Sequence, residues 1–201
     1  MSTQEHSLTV PPNSKKRLAI CGCSPMTYTA AADLFTQANQ IEFWGMNNLM
    51  RILREVWILA DRWFDIHHPD WIMKCKERRL SSPELYVNAT IPIYMMQHFE
   101  QFPSSVAYPI KEIMAYYRKP ENFFNATASL MLALALAEER FEQINICGVD
   151  MWTSDEYQRH KPPMYYLLGI AEERGIEVVI PPNSMLLHTK EKSYFGMNGE
   201  I

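Results

Sequence analysis

Short apolar runs rich in β-branched and aromatic residues alternate along this chain with segments of helical periodicity. Six of these runs are predicted to be strands, at 18–22, 41–45, 62–66, 91–96, 144–149 and 176–180. Strands that alternate with helices are typical of a parallel sheet with helices packed on it. The sequence therefore predicts an α/β fold: a single Rossmann-like domain over 18–201, with a mostly parallel sheet of about six strands and helices on both faces. Residues 1–17 are expected to form a flexible N-terminal leader.

The segments between these runs are predicted to be helices at 27–38, 49–59, 125–141 and 164–174, with a further helix that starts near Pro69. The helix at 125–141 is apolar on nearly every side until Glu138, so we expect it to be buried against the sheet. Pro92 indicates that the fourth strand lies at an edge or begins there. The stretch 97–124 is rich in aromatic residues, proline and lysine, and an irregular connection is favoured over a lid above the site.

Composition and charge exclude several classes of protein. A chain of 201 residues with 47% hydrophobic and 21% charged residues is expected to form one globular domain. A net charge of −4 argues against binding to duplex nucleic acid. No apolar run reaches the ~18–20 residues that a membrane span needs, and the N-terminus lacks the apolar core of a secretory signal. We therefore expect a cytoplasmic protein without a membrane partner.

Cysteine and glycine spacing also limits the chemistry. Cys21 and Cys23 form a C-x-C pair, and none of the four cysteines stands at the spacing of a zinc site, so reduced structural thiols are expected. The first loop lacks the further glycines of a G-x-G-x-x-G fingerprint, and the chain has no Walker motif. The sequence predicts no metal ligands and no tightly bound cofactor.

Polar residues concentrate at the carboxyl ends of the predicted strands, where an open parallel sheet binds its ligands. Gly22 and Ser24 follow the first strand, and such a loop can bind a phosphate, although a plain turn explains it equally well. Asn47 follows the second strand, where its amide suits a base or a ribose hydroxyl; the alternative is a helix cap. Asp65 and His67 share one face of the third strand and could form a proton shuttle or bind a ribose, against a capping Asp and a surface His.

Further candidates lie in the second half of the chain. Ser129 places a hydroxyl in the first turn of an apolar helix, where it either binds a phosphate or caps the helix. Asp150 ends the fifth strand. The polar segment after it, predicted to be a loop, contains four residues that could surround a phosphate: Tyr157, Arg159, His160 and Lys161. His188 is a candidate base near the end of the chain, although such a histidine is more often incidental.

These motifs together carry a family resemblance. A Gly-x-Ser-Pro loop after the first strand, an Asn after the second, a hydroxyl-bearing helix start and Gly-Val-Asp at the end of the fifth strand resemble the core of bacterial sialyltransferases that use CMP-linked sugars, over about 18–182. The plan is also similar to that of pterin pyrophosphokinase-like proteins. The segments Trp-Phe-Asp-Ile-His, Gly-Val-Asp-Met and Ile-Pro-Pro-x-Ser resemble those of small phage-encoded proteins of uncharacterised type, over nearly the whole chain.

The sialyltransferase resemblance implies roles for individual residues. The first loop would lie near the donor phosphate, Asn47 near the nucleoside, and Ser129 beside the phosphate or the base. Tyr157 would neutralise charge on the leaving nucleotide's phosphate in a metal-independent reaction. The family's catalytic base is a histidine late in the chain, and the match after the sixth strand is His188.

The leading hypothesis is a glycosyltransferase-like enzyme that binds a nucleotide or nucleotide sugar as ligand or donor. His67 or His188 would deprotonate an acceptor hydroxyl, while Tyr157 and Arg159 balance charge on the departing phosphate. The alternative is a non-catalytic phage protein, acting in the host cytoplasm, that binds or sequesters a nucleotide signal.

Two further hypotheses stay open at this point. A nucleoside-phosphate hydrolase could use Asp65 and Asp150 with a metal ion. A homo-oligomer is also open, because Trp57, Trp63 and Trp71 could line a dimer contact and core packing explains them equally well.

Overall fold

Seven strands form one fully parallel sheet in the computed structural model, which describes residues 15–77, 82–120, 122–152 and 155–188, without the side chains of 75–77 and 155–158. In chain order the strands are β1 (Arg17–Cys21), β2 (Ile41–Met46), β3 (Arg62–Phe64), β4 (Ile93–Met95), β5 (Ser105–Ala107), β6 (Gln143–Cys147) and β7 (Glu177–Val179). Across the sheet their order is β5-β4-β3-β2-β1-β6-β7. The predicted α/β fold is confirmed, with one strand more than expected.

The central strand β1 sets the geometry of the sheet. Ala19 of β1 pairs with Phe43 of β2 on one side and with Asn145 of β6 on the other. The chain first builds the sheet outward from β1 to β5 and then returns to add β6 and β7 on the other side. The two loops that follow β1 and β6 therefore diverge in direction, and a crevice opens between them at the carboxyl edge.

Eight helical segments connect the strands within the described residues. They are a 3₁₀ helix (Tyr28–Gln37), α1 (Leu49–Ile52), α2 (Arg54–Leu59), α3 (Pro69–Glu77), α4 (Pro83–Val87), α5 (Ile110–Tyr117), α6 (Thr127–Ala137) and α7 (Asp155–Glu173). None of the helices in this part of the chain is long and apolar enough to cross a membrane.

Side-chain alternation along β1 divides the interior into two cores. Leu18 and Ile20 face a core that includes α6, while Ala19 and Cys21 face a core on the opposite side of the sheet. Helix α6 is buried from Ala128 onward because it packs against β1 and β2 and is covered by α5 and α7. This arrangement confirms both the expectation of helices on both faces and that of a buried helix in this segment.

The stretch 97–124 was expected to be an irregular connection, and that prediction is wrong. It contains β5 and α5, and Tyr94 of β4 pairs with Val106 of β5, so β4 is an internal strand. Pro92 directly precedes β4, where its missing N–H costs no ladder hydrogen bond. The three residues of β5, Ser-Val-Ala, are too few to show an apolar period of two.

The polar segment after Asp150 was expected to be a loop, and this prediction is also wrong. Helix α7 begins at Asp155, and Pro162 and Pro163 lie inside it. Proline inside a helix removes a backbone donor and is rare there, so the sequence favoured a loop before the helix. Tyr157, Arg159, His160 and Lys161 are therefore helical residues.

The three tryptophans considered for a dimer contact have different environments. Trp63 is fully buried, and a Cβ on Gly45 would lie 2.1 Å from its ring, so Gly45 leaves room for this indole. Trp57 packs edge-on against Trp63 with ring centroids 4.9 Å apart. Trp71 is 53% exposed. Core packing explains Trp63 and its contact with Trp57.

Candidate functional site

A cleft of about 700 Å³ opens at the carboxyl edge of the sheet. The loops that follow five of the strands contribute to its wall, as the pattern of polar strand ends predicted. The lining residues are 23–25 after β1, 46–47 after β2, 66–67 after β3, Met96 after β4 and 148–152 after β6, together with Ile110, Asn122, 124–128, Leu130 and His160. The cleft therefore spans the crevice between β1 and β6 and extends toward β4.

Two glycines form the floor of the crevice. A Cβ on Gly22 would lie 2.3 Å from the carbonyl oxygen of Gly148, and Gly148 has a φ of +69°. The Gly22 N–H donates to the Cys147 carbonyl at 2.8 Å, and the Ser24 N–H donates to the Gly148 carbonyl at 2.9 Å. Gly148 lines the cleft, whereas Gly22 lies beneath it. The requirement for glycine at position 22 is thus explained by the contact between two loops.

Asp150, in the wall of the cleft, connects three segments of the chain. Its carboxylate accepts hydrogen bonds from the Thr27 hydroxyl at 2.7 Å and from the Met185 N–H at 2.9 Å. Burial alone would raise the pKa of Asp150, but hydrogen bonds from Ser24, Thr27, Ser184 and the Met185 backbone hold it below its ordinary value. Because it accepts hydrogen bonds from four protein donors, this carboxylate serves first as an anchor for the loops after β1 and β6.

Asp65 and His67 form a hydrogen-bonded pair directly after β3. Nδ1 of His67 lies 2.7 Å from Oδ1 of Asp65, and the His67 backbone N–H donates to the same oxygen at 3.2 Å. The side chain of Asp65 is 6% exposed and that of His67 is 46% exposed. A carboxylate that accepts from Nδ1–H selects the tautomer with its lone pair on Nε2. Since His67 lines the cleft, the pair has the arrangement of a general base with its orienting carboxylate.

Strained backbone occurs at two positions in the cleft wall. Asn47 and Met151 both have a φ of 49°, a left-handed conformation that residues other than glycine seldom adopt. Asn47 also has its side-chain oxygen 3.5 Å from the Thr127 hydroxyl, which donates to it across the cleft wall. Strain of this kind concentrates at functional sites because the surrounding structure must enforce it.

The start of α6 contributes Thr127 rather than the predicted Ser129. The Ala126 N–H donates to the Ser129 hydroxyl at 3.3 Å, that hydroxyl donates to the Ala126 carbonyl at 2.8 Å, and the side chain is fully buried away from the cleft. Its capping alternative therefore describes what the residue does in this structure. Thr127, two residues earlier, lines the cleft.

Two side chains of the first loop line the cleft. Ser24 does so while it hydrogen-bonds to Asp150. The Cys23 thiol donates to the Met46 carbonyl at 3.5 Å. Burial and then the nearby Asp65 raise the pKa of Cys23 to about 12, so the thiol stays protonated at neutral pH and is a poor nucleophile.

The remaining candidates divide between the inside and the outside of the cleft. His160 of α7 lines it, whereas its exposed neighbour Arg159 does not. The side chain of Tyr157 lies outside what the structure describes. His188 is exposed and away from the cleft, and its carbonyl accepts from Lys161 at 2.8 Å. The structure thus brings His67 and His160, but not His188, to one cavity.

A metal site is not apparent in the described part of the chain. Within it, no group of three or more His, Cys, Asp or Glu side chains is placed to hold a metal ion. Asp65 and Asp150, the pair considered for a metal-dependent hydrolase, each have their oxygens hydrogen-bonded to protein donors.

Comparison with known proteins shows the fold. No protein-family model matches the chain, and a search of curated proteins finds no match. Among solved structures, the chain is similar to the sialyltransferase CstII from Campylobacter jejuni, solved in complex with a substrate analogue, cytidine-5'-monophosphate. The TM-score is 0.50 at 15% identity, over 85% of this chain and 82% of that chain. The fold implied by the sialyltransferase resemblance is therefore confirmed, while the pterin pyrophosphokinase-like and phage likenesses gain no support.

Proposed function

We propose that this protein is a group transferase that binds a nucleotide-activated donor, a nucleotide sugar, in the cleft at the carboxyl edge. The observation that carries the proposal is the Asp65–His67 pair, whose imidazole lines the same cleft as the loops after β1 and β6. A positioned base and a nucleotide-sized cavity are what a transfer to an acceptor hydroxyl requires. The solved neighbour was crystallised with a nucleotide, which supports the choice of donor.

The nucleotide would occupy the end of the cleft between the loops after β1 and β6. Gly148 brings bare backbone to the cleft there, and Thr127, in the first turn of α6, lines the same cleft. Asn47 would hold the nucleoside or the sugar through its amide, in the strained conformation that the β2 loop imposes on it. The acceptor would then enter from the side of the cleft formed after β3 and β4, where His67 follows β3.

The transfer step would use His67 as base. Nε2 of His67 takes the proton of the acceptor hydroxyl, and the acceptor oxygen forms a bond to the anomeric carbon. The bond from that carbon to the phosphate oxygen breaks, and the nucleotide leaves with the electron pair. Asp65 stabilises the imidazolium that forms, and His160, which lines the cleft from α7, would hydrogen-bond to the departing phosphate, a role that the sequence predicted for Arg159.

Histidine variants test this proposal against its closest alternatives. Purified protein is incubated with a panel of nucleotide sugars and acceptors, and release of free nucleotide is measured for wild type, His67→Ala, His160→Ala and His188→Ala. General-base catalysis contributes roughly 10²–10⁴-fold, so His67→Ala should lose about that much of kcat, while His188→Ala stays within about twofold of wild type. Full activity of His67→Ala would contradict the assignment, and a loss confined to His160→Ala would move the base to α7.

Binding of a nucleotide without turnover is the second candidate function. It is favoured by cleft groups whose hydrogen bonds are already made within the protein, such as Asp150 and Ser24, because such groups are less available to take part in a reaction. The protein is incubated with nucleotides and nucleotide sugars, denatured, and the small molecules are analysed. Intact recovery of a bound nucleotide supports sequestration, and cleaved or transferred product supports the transferase.

A further inference from the structure

Beneath His67, a buried tyrosine donates a hydrogen bond to the other oxygen of Asp65. The hydroxyl of Tyr86, on α4, lies 2.7 Å from Oδ2 of Asp65, while His67 holds Oδ1. Tyr86 is 2% exposed, so it does not reach the cleft itself. We propose that Tyr86 is a positioning residue that sets the proton affinity of His67 through Asp65. The role of Tyr86 in transfer rests on the proposed function, whereas its effect on the proton affinity of His67 can be measured in the protein without a substrate.

The hydrogen bonds around Tyr86 follow from which of the groups can donate and which can only accept. The Trp63 indole is a donor only, and its Nε1 lies 3.2 Å from the Tyr86 hydroxyl. The Tyr86 hydroxyl has one hydrogen and two acceptors, and the hydrogen points toward Oδ2 of Asp65 because that oxygen is the nearer one, at 2.7 Å, and carries negative charge. The Asn47 carbonyl accepts from Trp63 at 3.1 Å and lies 3.0 Å from the Tyr86 oxygen. Tyr86 therefore stands at the junction of two residues that reach the cleft, Asn47 and, through Asp65, His67.

The Asp65 carboxylate interacts with two groups at once, His67 and Tyr86, and each weakens its interaction with the other. A hydrogen bond from Tyr86 stabilises the negative carboxylate and reduces the attraction that Asp65 exerts on an imidazolium at His67. Removing the Tyr86 hydroxyl should therefore raise the pKa of His67, and removing the charge of Asp65 should lower it. By weakening that attraction, Tyr86 favours the unprotonated imidazole, the form that a base needs.

Within the described residues, the titratable groups with known contacts near His67 leave this sign unchanged. Burial, and then the charge of Asp65, raises the pKa of Tyr86 well above its ordinary value, so the phenol stays neutral and keeps its donor role. The Cys23 thiol is also neutral, as described above. On α3, exposed Asp70 pairs with His68 at 3.4 Å. His160 lines the same cleft from α7 and is present equally in every variant below.

An NMR titration of the His67 imidazole tests the inference without any substrate. The spectra compare wild type, Tyr86→Phe, Asp65→Asn and the control Tyr108→Phe, which removes a hydroxyl of similar burial that donates to the Leu130 carbonyl at 2.8 Å. Tyr86→Phe should raise the His67 midpoint by about 0.5–1 pH unit, Asp65→Asn should lower it, and Tyr108→Phe should leave it unchanged. An unchanged or lowered midpoint in Tyr86→Phe would overturn the inference.

A wild-type measurement covers the case in which Tyr86→Phe does not fold. The ¹³Cζ resonance of Tyr86 should follow the titration of His67, since the two side chains share one carboxylate, whereas that of Tyr108 should not respond. A Tyr86 resonance that is silent across the His67 midpoint would overturn the inference.

The NMR titration and the transfer assay test the inference and the proposed function separately. A His67 midpoint that shifts as expected in a protein without transfer activity would remove the proposed function and leave the coupling intact. If transfer depends on His67, the acidic limb of the kcat/KM profile should move with the NMR midpoint in Tyr86→Phe, with KM nearly unchanged. Activity that depends on His67 without a midpoint shift in Tyr86→Phe would keep the function and contradict the inference.

Discussion

Gly22 and Gly148 face each other so closely that neither position has room for a side chain. A Cβ on Gly148 would lie 2.1 Å from the carbonyl oxygen of Gly22, and one on Gly22 would lie 2.3 Å from that of Gly148. In both cases the clashing atom is a backbone carbonyl oxygen in the loop that follows the neighbouring strand. Such an atom cannot rotate away as the end of a side chain can. The crevice between β1 and β6 therefore depends on two glycines that meet beneath it.

Gly22→Ala is expected to lower the free energy of unfolding by at least about 2 kcal/mol, because the loops after β1 and β6 must separate to admit a methyl group. Urea unfolding followed by circular dichroism measures the change. The matched control is Gly169→Ala on α7, where a Cβ meets nothing within 4 Å. That control should be neutral or stabilising by up to about 1 kcal/mol. Equal effects of the two substitutions would contradict this account of the floor.

A buried ion network closes the opposite, amino edge of the sheet. Arg62 bonds to Glu138 and lies 3.3 Å from Glu42, and Arg140 bonds to the same two carboxylates at 2.8 and 2.7 Å. The Trp44 indole donates to Glu42 at 2.7 Å. Burial alone would raise the pKa of Glu42, but hydrogen bonds from Arg140 and Trp44 and the two guanidinium charges hold it below its ordinary value.

Arg62→Met is expected to destabilise the fold by about 3–5 kcal/mol, since it leaves two buried carboxylates with half of their counter-charge. Chemical denaturation at neutral pH gives the value. Lys16→Met is the control, because Lys16 pairs with Glu142 at an exposed site where both side chains are about two-thirds exposed. Its cost should stay below about 1 kcal/mol. A cost for Arg62→Met as small as that for Lys16→Met would show that the network does not stabilise the sheet.

Asp150→Asn is expected to change how stability depends on pH. The native pKa of Asp150 lies below its ordinary value of 3.8, so its charged form stabilises the fold above that value and the contribution is lost as the pH falls through the native pKa. Wild type should exceed Asp150→Asn by about 1–3 kcal/mol near pH 7, and the difference should shrink below about pH 4. Urea melts between pH 7 and pH 3 measure it.

The control for this pH dependence is Asp70→Asn, since the Asp70 side chain is 78% exposed. It should track wild type across the whole range. A gap between wild type and Asp150→Asn that stays constant down to pH 3 would contradict the role of the charge.

Local sequence patterns predicted which residues follow the strands, but not the partners that these residues contact from distant parts of the chain. Asp65 and His67 stand two residues apart after an apolar run, and the structure places them in a 2.7 Å contact. Asn47 and Asp150 follow strands as expected, although Asp150 is bound by protein donors that come from as far away as Met185. Such partners are distant in the chain, and no local spacing indicates them.

The missed features have physical causes of the same kind. Strand β5 has only three residues, too few for an alternating pattern. Two prolines inside α7 made a helix improbable from the sequence, so His160 was predicted to lie on a loop. Tyr86 lies on a five-residue helix, and no pattern in the local sequence indicates its hydrogen bond to Asp65. The cleft therefore could be located from strand ends, whereas the contacts that orient its side chains required the fold.

Calorimetric titration of nucleotides and nucleotide sugars into the protein tests the central claim, that the cleft binds a nucleotide, most directly. Asn47→Gly suits the left-handed backbone at this position and removes the Asn47 side chain, and His188→Ala changes an exposed residue away from the cleft. We predict saturable binding by wild type and His188→Ala, with affinity at least about tenfold weaker in Asn47→Gly, the loss expected for one or two hydrogen bonds. Absence of binding to every nucleotide tested, or equal affinity in all three proteins, would contradict the account.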